Sequence, residues 1–419
     1  MTGPEARTRD MVYGIDFGTW TSALVILRRG QPPMPVRDPV SALGATSVRS
    51  AVCLLPDGSM VVGQAAQNSR LQRPERFRSE FKREFGEPLP HRLGEQHFRT
   101  EELTARVLGF LVEQARRAVS AEPDRVVITV PATWESARRE LMLGAAEAAG
   151  IRPETVEIHP EPVAAAVYAL HDHGMDRDRT ILVYDLGGGT FDLAIAKGTR
   201  DGFTVLGSPG GLPDVGGLAI DQAVLSLIRD RCPDALDCLR PLGSAGDDAR
   251  ALRRRTQLAE TCTTFKQQLS VSSEHSDMLT MLDPPVEVTL TQADLREAIR
   301  PLLTDTVAEC ERVLGSHGLS WGDLDLIVPV GGSSRLPMVG EVLADRSGLA
   351  VLDVSEPELA VATGAAWLAA GALSPHTTPA PGEGLRQRQT ATLPAGVRAL
   401  LDAGLTDRMV LEAVRRAHT

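Results

Sequence analysis

The chain has 419 residues, of which 42% are hydrophobic and 24% charged, as in a globular protein of two or three domains. Its net charge of -11, without a dense Lys/Arg run, argues against a nucleic-acid surface. No apolar run approaches the roughly 20 residues that cross a bilayer. The polar first ten residues and five scattered cysteines without C-x-x-C spacing predict a cytoplasmic protein that binds neither nucleic acid nor membrane.

Strand-like and helix-like segments alternate from residue 11 to about residue 374. Runs rich in Val, Ile and Leu predict strands at 12–17, 22–27, 126–130, 181–185, 191–196, 203–207 and 324–330. Apolar residues at helical spacing predict helices at 101–119, 134–149, 216–230, 250–269, 292–315 and 357–371. This alternation is typical of an α/β architecture with layered sheets and helices.

The ends of the chain have a different character. Residues 1–10 are predicted to be disordered. The stretch that begins SPHTTPAPGEG has no periodicity and predicts a flexible linker at 375–394. Residues 395–419 predict a short helical tail, with Thr406 as a helix N-cap.

One pattern occurs twice in the chain, as VYGIDFGTWTSALVIL at 12–27 and as ILVYDLGGGTFDLAIA at 181–196. Each copy predicts a strand that ends in Asp, a Gly/Thr turn and a second strand. A single turn of this kind is no more than a capped hairpin. Its recurrence indicates two similar domains with a shared binding task.

The composition of the two turns indicates an anion site. Glycines let backbone N–H groups approach an anion closely, and the hydroxyls of Thr19, Thr21 and Thr190 could add donors. The carboxylates of Asp16, Asp185 and Asp192 would repel phosphate unless a cation lies between them and the phosphate, and Mg²⁺ prefers such ligands. The paired turns therefore predict a cleft for the Mg-polyphosphate of a nucleotide.

Four further motifs follow in order: VVITVPATWESARREL, IHPEPVAAAVYAL, LIVPVGGSSRLPMVGEVL and EPELAVATGAAWLAAG. With the two turns, they resemble the ATPase domain of the DnaK-type seventy-kilodalton heat-shock protein chaperone family, over residues 11–373. The resemblance implies a two-lobed actin-like ATPase fold, which is ribonuclease H-like, with lobe I at 11–178 and lobe II at 179–374. The subdomain around 40–100 would be trimmed, because the chain is shorter than the family there.

The same resemblance implies roles for matching residues. The catalytic groups would be Asp16, Lys82, Glu161, Asp185 and Thr190. Asp16, Asp185 and Glu161 would hold the Mg²⁺ shell through water, and Asp192 would complete a cation site, with K⁺ as a second candidate ion. The nucleotide, ATP or ADP, would contact Gly18, Thr19, Trp20, Gly187, Gly188, Gly189, Thr190, Gly216, Gly217, Lys266, Ser270, Gly331, Gly332, Ser333 and Arg335.

Lysine usage supports two of these assignments. The chain has 44 basic residues, and only Lys82, Lys197 and Lys266 are lysines. Lys82 matches the catalytic lysine of the family, and Lys266 matches a ribose contact. A compact ammonium beside phosphate is a physical reason to keep Lys where Arg is otherwise used.

Plainer interpretations stay open at four positions. Glu161 precedes a proline and could cap a helix, and Asp192 could be an edge charge. The Gly216–Gly217 pair could be a simple turn, and Arg335 could be a solvated charge at a helix start.

Three positions depart from the family pattern. Trp20 replaces a small hydroxyl residue and would either narrow the site or fold outward. Thr263 and Gln267 stand where the family has a ribose-contacting Glu and an Arg that stacks on the base. Weaker nucleotide binding is therefore expected.

Two functional hypotheses follow. The first is an ATPase that hydrolyses Mg-ATP slowly as a conformational switch acting on a protein partner or co-chaperone. The second is a nucleotide-gated protein-binding or scaffold module with little or no hydrolysis, in which the helical tail docks a partner. A small-molecule kinase and a filament-forming actin relative match the motifs less well. The residues after the ATPase motifs are too few for a β-sandwich that binds client peptides.

Overall fold

The structure is a computed structural model that describes residues 11–41, 44–172, 179–199, 202–235, 245–371 and 374–378. The predicted N-terminal disorder at 1–10, the helical tail at 395–419 and the boundary between the lobes at residue 178 lie outside these ranges. No helix within them is both long enough and apolar enough to cross a membrane.

The first half of the molecule is built on a six-stranded sheet in the order β11-β10-β1-β2-β3, with β4 paired to β2. β1 pairs antiparallel with β2 and parallel with β10, which pairs parallel with β11. Two small sheets, β6-β5-β7 and β8-β9, adjoin it. The strands of this half are β1 Met11–Phe17, β2 Thr21–Arg28, β3 Met34–Pro35, β4 Val48–Arg49, β5 Ala51–Leu54, β6 Met60–Val62, β7 Phe77–Ser79, β8 His91–Leu93, β9 Gln96–Phe98, β10 Arg125–Val130 and β11 Val156–Pro160.

The second half repeats this plan on a sheet in the order β18-β12-β13-β14-β19, with β15 paired to β13. β12 pairs antiparallel with β13 and parallel with β18, as β1 does with β2 and β10. Strands β16 and β17 form a separate hairpin. The strands are β12 Thr180–Leu186, β13 Phe191–Thr199, β14 Gly202–Leu206, β15 Gly210–Leu212, β16 Glu274–Leu279, β17 Val286–Thr291, β18 Leu326–Val330 and β19 Ser374–Thr378.

The helices complete a layered arrangement. α2 and α3 cover the outer face of the first sheet, α5 to α8 cover that of the second, and α4 and α9 pack between the sheets. The helices are α1 Gln64–Ser69, α2 Thr100–Val119, α3 Ser136–Ala148, α4 Glu161–Asp172, α5 Gly217–Arg231, α6 Ala245–Gln268, α7 Gln292–Ser316, α8 Pro337–Ser347 and α9 Pro357–Ala370. The predicted α/β fold class is confirmed, and the predicted helices and strands agree with these bounds within a few residues.

Side chains alternate between the two faces of a strand, and this alternation places two acidic side chains in the space between the sheets. Val12 and Gly14 of β1 face the inner layer, so Asp16 follows on the same face. Val183 of β12 faces it too, and Asp185 follows in the same way. Both carboxylates therefore reach the inner layer where their strands end.

Residues 374–378 differ from the sequence-based expectation. The start of the predicted flexible linker forms β19, which pairs parallel with β14. An edge strand offers unpaired backbone groups, so an extended segment that passes it can pair without any side-chain periodicity. The rest of the predicted linker lies outside the described residues.

Candidate active site

The two hairpin turns and the turn before α5 pack on one another in the centre of the molecule. The Gly217 and Leu218 amides donate to the carbonyls of Gly187 and Gly188, at 2.9 and 2.8 Å. A Cβ atom on Gly188 would lie 2.8 Å from the Trp20 Cβ, so the two hairpin turns touch where only glycine fits. The three turns thus form one continuous backbone surface.

A buried acidic cluster lies at the root of these turns. Asp185 and Glu161 are each 6% exposed, and Glu161 is the first residue of α4. Lys82, in the 3-10 helix Phe81–Glu84, is also 6% exposed and donates from Nζ to Glu161 Oε1 at 2.6 Å. Asp16 Oδ1 accepts a 3.2 Å hydrogen bond from Thr129 Oγ1 of β10. A single ammonium therefore faces three carboxylates.

This imbalance shifts the pKa values of the cluster. Burial and the charge of Glu161 raise the pKa of Asp16 to about 7, and the same two causes raise that of Asp185 well above its usual range. Burial lowers the pKa of Lys82, but the charges of Glu161, Asp16 and Asp192 outweigh burial, so the net pKa is raised. Additional positive charge at this place would be stabilised.

The donor chemistry fits the Mg²⁺ expected from the sequence, because carboxylate oxygens are its preferred protein ligands. Within the described ranges, no three His, Cys, Asp or Glu side chains stand close enough together to hold a metal directly. Mg²⁺ keeps several waters in protein sites, so Asp16, Asp185 and Glu161 would hold it largely through water.

Asp192 has a different position from the other three acids. Its carboxylate accepts a 3.0 Å hydrogen bond from the Ala132 amide, and burial and the charge of Glu161 raise its pKa to about 7. It is 1% exposed and lies behind the turn that contains Thr190. A cation site at Asp192 stays a prediction.

A cavity of about 430 Å³, called here the central cavity, opens in front of the turns and the acidic cluster. Most predicted site residues come together on its wall, namely Asp16, Gly18, Thr19, Trp20, Lys82, Glu161, Asp185, Gly187, Gly188, Thr190, Gly217, Lys266, Ser270, Gly331, Gly332, Ser333 and Arg335. Gly189 and Gly216 are not on the wall but behind it, where a Cβ would lie 2.6 Å from Thr19 Oγ1 and 2.7 Å from the Gly189 carbonyl carbon, respectively. They shape the turns rather than line the cavity.

Two acids that the sequence analysis missed line the other end of the cavity. Asp221 pairs with Lys266 at 2.8 Å and accepts a hydrogen bond from Thr263 at 3.2 Å. Its position one helical turn after Gly217 is a sequence signal that could have identified it. Glu358 pairs with Arg335, with Oε2 2.7 Å from Nη2. No local sequence pattern predicts this contact.

Trp20 lines two cavities. Its indole lines the central cavity and also a neighbouring cavity of about 680 Å³ between the two halves. The Arg49 guanidinium carbon lies 3.3 Å from the centre of the indole ring, a cation–π contact. Because Trp20 lines both cavities, the two expectations for it, narrowing the site and folding outward, both stay predictions.

The two sheets have the same topology and are joined through two inner helices. Their paired hairpins, each with an Asp and a Gly turn, face one central cavity. This arrangement defines the actin-like ATPase class of fold. A sequence model of the family described as Hsp70 protein matches residues 12–381. The DnaK chaperone proteins of two strains of Halobacterium salinarum are each 32% identical over 364 residues, which is 85% of this chain and 55% of theirs. The chain belongs to the Hsp70 family, as the sequence motifs predicted, and spans about half the length of these relatives.

Proposed function

We propose that this chain binds Mg-ATP in the central cavity and hydrolyses it slowly, as a conformational switch that acts on a protein partner such as a co-chaperone. The observation that carries the proposal is the convergence of two glycine-rich turns, three carboxylates, of which Asp185 and Glu161 are buried, and one buried lysine on a single cavity. Membership of the Hsp70 family and similarity to proteins named as DnaK chaperones support the same activity.

The proposed orientation follows from the charges along the cavity. The polyphosphate would lie against Thr19, Gly188 and Thr190, whose amides and hydroxyls can donate to its oxygens. The nucleoside would lie towards Lys266 and Arg335, where hydrogen-bonding groups line the wall. Mg²⁺, when bound, would neutralise part of the phosphate charge.

The proposed chemistry is in-line attack of water on the γ-phosphorus. A water oxygen forms the new bond, the bond from phosphorus to the β–γ bridging oxygen breaks, and ADP and phosphate result. Asp185 and Glu161 would orient the water, and an ionised carboxylate of the cluster would accept its proton. Lys82 and Thr190 would stabilise the charge of the transferring group.

A second candidate function is a nucleotide-gated binding module with little or no hydrolysis. Three substitutions favour it, namely Trp20 beside the phosphate turns and Thr263 and Gln267 near the nucleoside end. Thr263 donates a hydrogen bond to Asp221, whose carboxylate lines the central cavity. This carboxylate could take the place of the Glu that the family has at position 263.

Single-turnover hydrolysis of ATP and equilibrium ATP binding, measured on the purified chain, separate the two candidates. We expect Lys82→Ala, verified as folded by circular dichroism, to bind ATP but lose at least about a hundred-fold in hydrolysis rate. Lys197→Ala, which removes an exposed lysine of β13, is the matched control. Binding without turnover in the wild type favours the gated module, and no binding contradicts both.

A second variant tests where the nucleotide binds. Gly332 lines the central cavity, and a Cβ placed on it meets nothing within 4 Å. Gly332→Leu should therefore fold normally but weaken ATP binding at least about ten-fold by occupying the nucleoside end. Gly144→Leu, on the exposed side of α3 and also in open space, should bind ATP like the wild type.

A further inference from the structure

The proposed phosphate position faces two cavities. Thr19, Lys82 and Thr190 line the central cavity, and the same three residues also line a second cavity of about 530 Å³, called here the side cavity. The side cavity extends from them to the protein surface between Arg83, Arg138 and the loop at 213–214. Lys82 and Thr190 therefore have open space on two sides.

A bound nucleotide would leave one of these directions free. With its nucleoside towards Lys266 and Arg335, ADP fills the central cavity and stands between the cleaved phosphate and that cavity's opening. The phosphate is formed at the Lys82 end, next to the side cavity. Among the cavities of the described residues that touch Lys82 and Thr190, the side cavity is the one that this orientation of ADP leaves free.

The side cavity also has suitable chemistry for an anion. Lys82 lies buried at its inner end, and the next residue, Arg83, is 43% exposed at its mouth. Arg138 stands opposite with its side chain 41% exposed, in an exposed ion pair with Glu87 at 3.3 Å that an anion can replace. Glu80, Glu84 and Asp214 line it as well, so the walls carry both signs of charge. Guanidinium groups bind phosphate oxygens well, and their succession outwards attracts an anion towards solvent.

One ion pair stands at the mouth of the side cavity. Arg83 Nη2 lies 2.9 Å from Asp214 Oδ1, and this contact joins the first half of the molecule to the second. The Asp214 side chain is 81% exposed, and exposed ion pairs are weak, so the pair can separate without a large rearrangement.

We propose that the side cavity is the exit route of the inorganic phosphate produced by hydrolysis, with Arg138 attracting the anion and the Arg83–Asp214 ion pair as its gate. The inference rests on the proposed ATPase activity and adds to it a route for phosphate that is separate from the route of ADP. Phosphate leaves through the side cavity, and ADP leaves through the central cavity.

The test uses single-turnover reactions of the full chain with two parallel readouts. Acid quench measures the cleavage of ATP, and a fluorescent phosphate-binding protein measures the appearance of free phosphate. Dissociation of a fluorescent ADP analogue is measured separately. The interval between cleavage and free phosphate reports the exit step alone.

We expect Arg138→Glu to lengthen that interval about three-fold or more, because a carboxylate then repels the leaving anion. Cleavage and ADP dissociation should be unchanged. The control is Arg92→Glu, which makes the same change of charge in the neighbouring cavity of about 680 Å³. Arg92 does not line the side cavity, so this variant should behave like the wild type. Asp214→Asn, a mild surface change, should shorten the interval by removing the gate.

An interval that is the same in Arg138→Glu, Asp214→Asn and the wild type, including no measurable interval in any of them, overturns the exit route while leaving the ATPase intact. Absence of cleavage in the quenched wild-type reaction instead overturns the proposed function, and the exit route with it.

Discussion

Lys82 shows how a single residue balances the charge of the site. It is buried, its ammonium pairs with Glu161, and two further carboxylates, Asp16 and Asp185, line the same cavity. Desolvating an unpaired carboxylate is costly, so the lysine contributes to folding as well as to the proposed chemistry. Stability and activity can therefore be measured separately at this position.

Lys82→Met should lower the free energy of unfolding by about 3 kcal/mol, because it leaves the buried Glu161 without its ion-pair partner. Urea denaturation in the absence of nucleotide measures the change. Lys197→Met alters an exposed lysine and should stay within about 0.5 kcal/mol of the wild type. Equal stabilities of the two variants would contradict the structural role of Lys82.

His91 is a second buried residue with a measurable electrostatic effect. Its Nδ1 accepts from Arg78 Nε at 3.1 Å, and its Nε2 lies 3.0 Å from Thr100 Oγ1. Burial lowers the pKa of His91, Arg78 lowers it further, and Glu84 and Glu101 only partly oppose this. The folded protein thus disfavours the protonated imidazole.

Because the pKa of His91 is lower in the folded than in the unfolded state, its contribution to stability is present above the ordinary pKa of about 6.5 and is lost as the pH falls below it. The unfolding free energy of wild type should therefore fall more steeply from pH 7.5 to pH 5.5 than that of His91→Gln. The control His97→Gln changes an exposed imidazole and should keep the wild-type slope. Parallel slopes for wild type and His91→Gln would refute the assignment.

Among the elements, the pair α4 and α9 connects the two sheets to the site. α4 begins with Glu161, and Pro357 and Glu358 at the start of α9 line the central cavity. The helices pack backbone to backbone where Gly364 meets the carbonyl of Ala164. A shift of either helix would move side chains of the cavity wall.

Gly364→Ala should lower the unfolding free energy by about 1–3 kcal/mol, since its Cβ has no space against the backbone of α4. It should also weaken nucleotide binding by displacing α4. Gly144→Ala is the matched helical control and should leave stability unchanged or increase it by about 0.5–1 kcal/mol. Chemical denaturation and ATP titration of both variants provide the measurement, and a fully stable Gly364→Ala would show that the helices can separate freely.

On the scale of the whole molecule, ion pairs hold the two halves together over the cavities. Arg70 follows α1 and pairs with Glu260 of α6, to which Gln67 also donates at 3.3 Å. Arg83 pairs with Asp214 across a different part of the boundary. Opening of the cleft requires these contacts to break.

Glu260→Gln should increase the rate of ADP dissociation about two- to five-fold at low salt, because an ion pair of this kind contributes up to about 1 kcal/mol. High salt should reduce the difference by screening the wild-type pair. Glu297→Gln removes an exposed pair with Arg300 inside α7 and should have no effect. Stopped-flow fluorescence measures the dissociation rate of a fluorescent ADP analogue from each variant. Equal rates for the two variants would exclude the Arg70–Glu260 pair as a restraint on opening of the cleft.

The sequence by itself determined the features that depend on local order. The alternating elements, the duplicated hairpin with Asp16 and Asp185, and the retention of Lys82 in an arginine-rich chain follow from periodicity and residue chemistry over short stretches. These features predicted the α/β class and a phosphate site at the paired turns, and the resemblance to the heat-shock chaperone family implied most of the other residues on the wall of the central cavity.

Only the tertiary structure decided which distant residues meet. The contact of Glu358 with Arg335, the stacking of Arg49 on Trp20 and the Arg83–Asp214 pair each join segments that no sequence period relates. The tertiary structure also decided the position of Asp192. Asp185 and Asp192 are partners across one hairpin and look equivalent in the sequence, but Asp192 lies behind the cavity wall, where it accepts a hydrogen bond from the Ala132 amide. Such contacts form when separate helices and strands pack against each other. The periodicity of a sequence does not specify how far apart in space two of these elements lie.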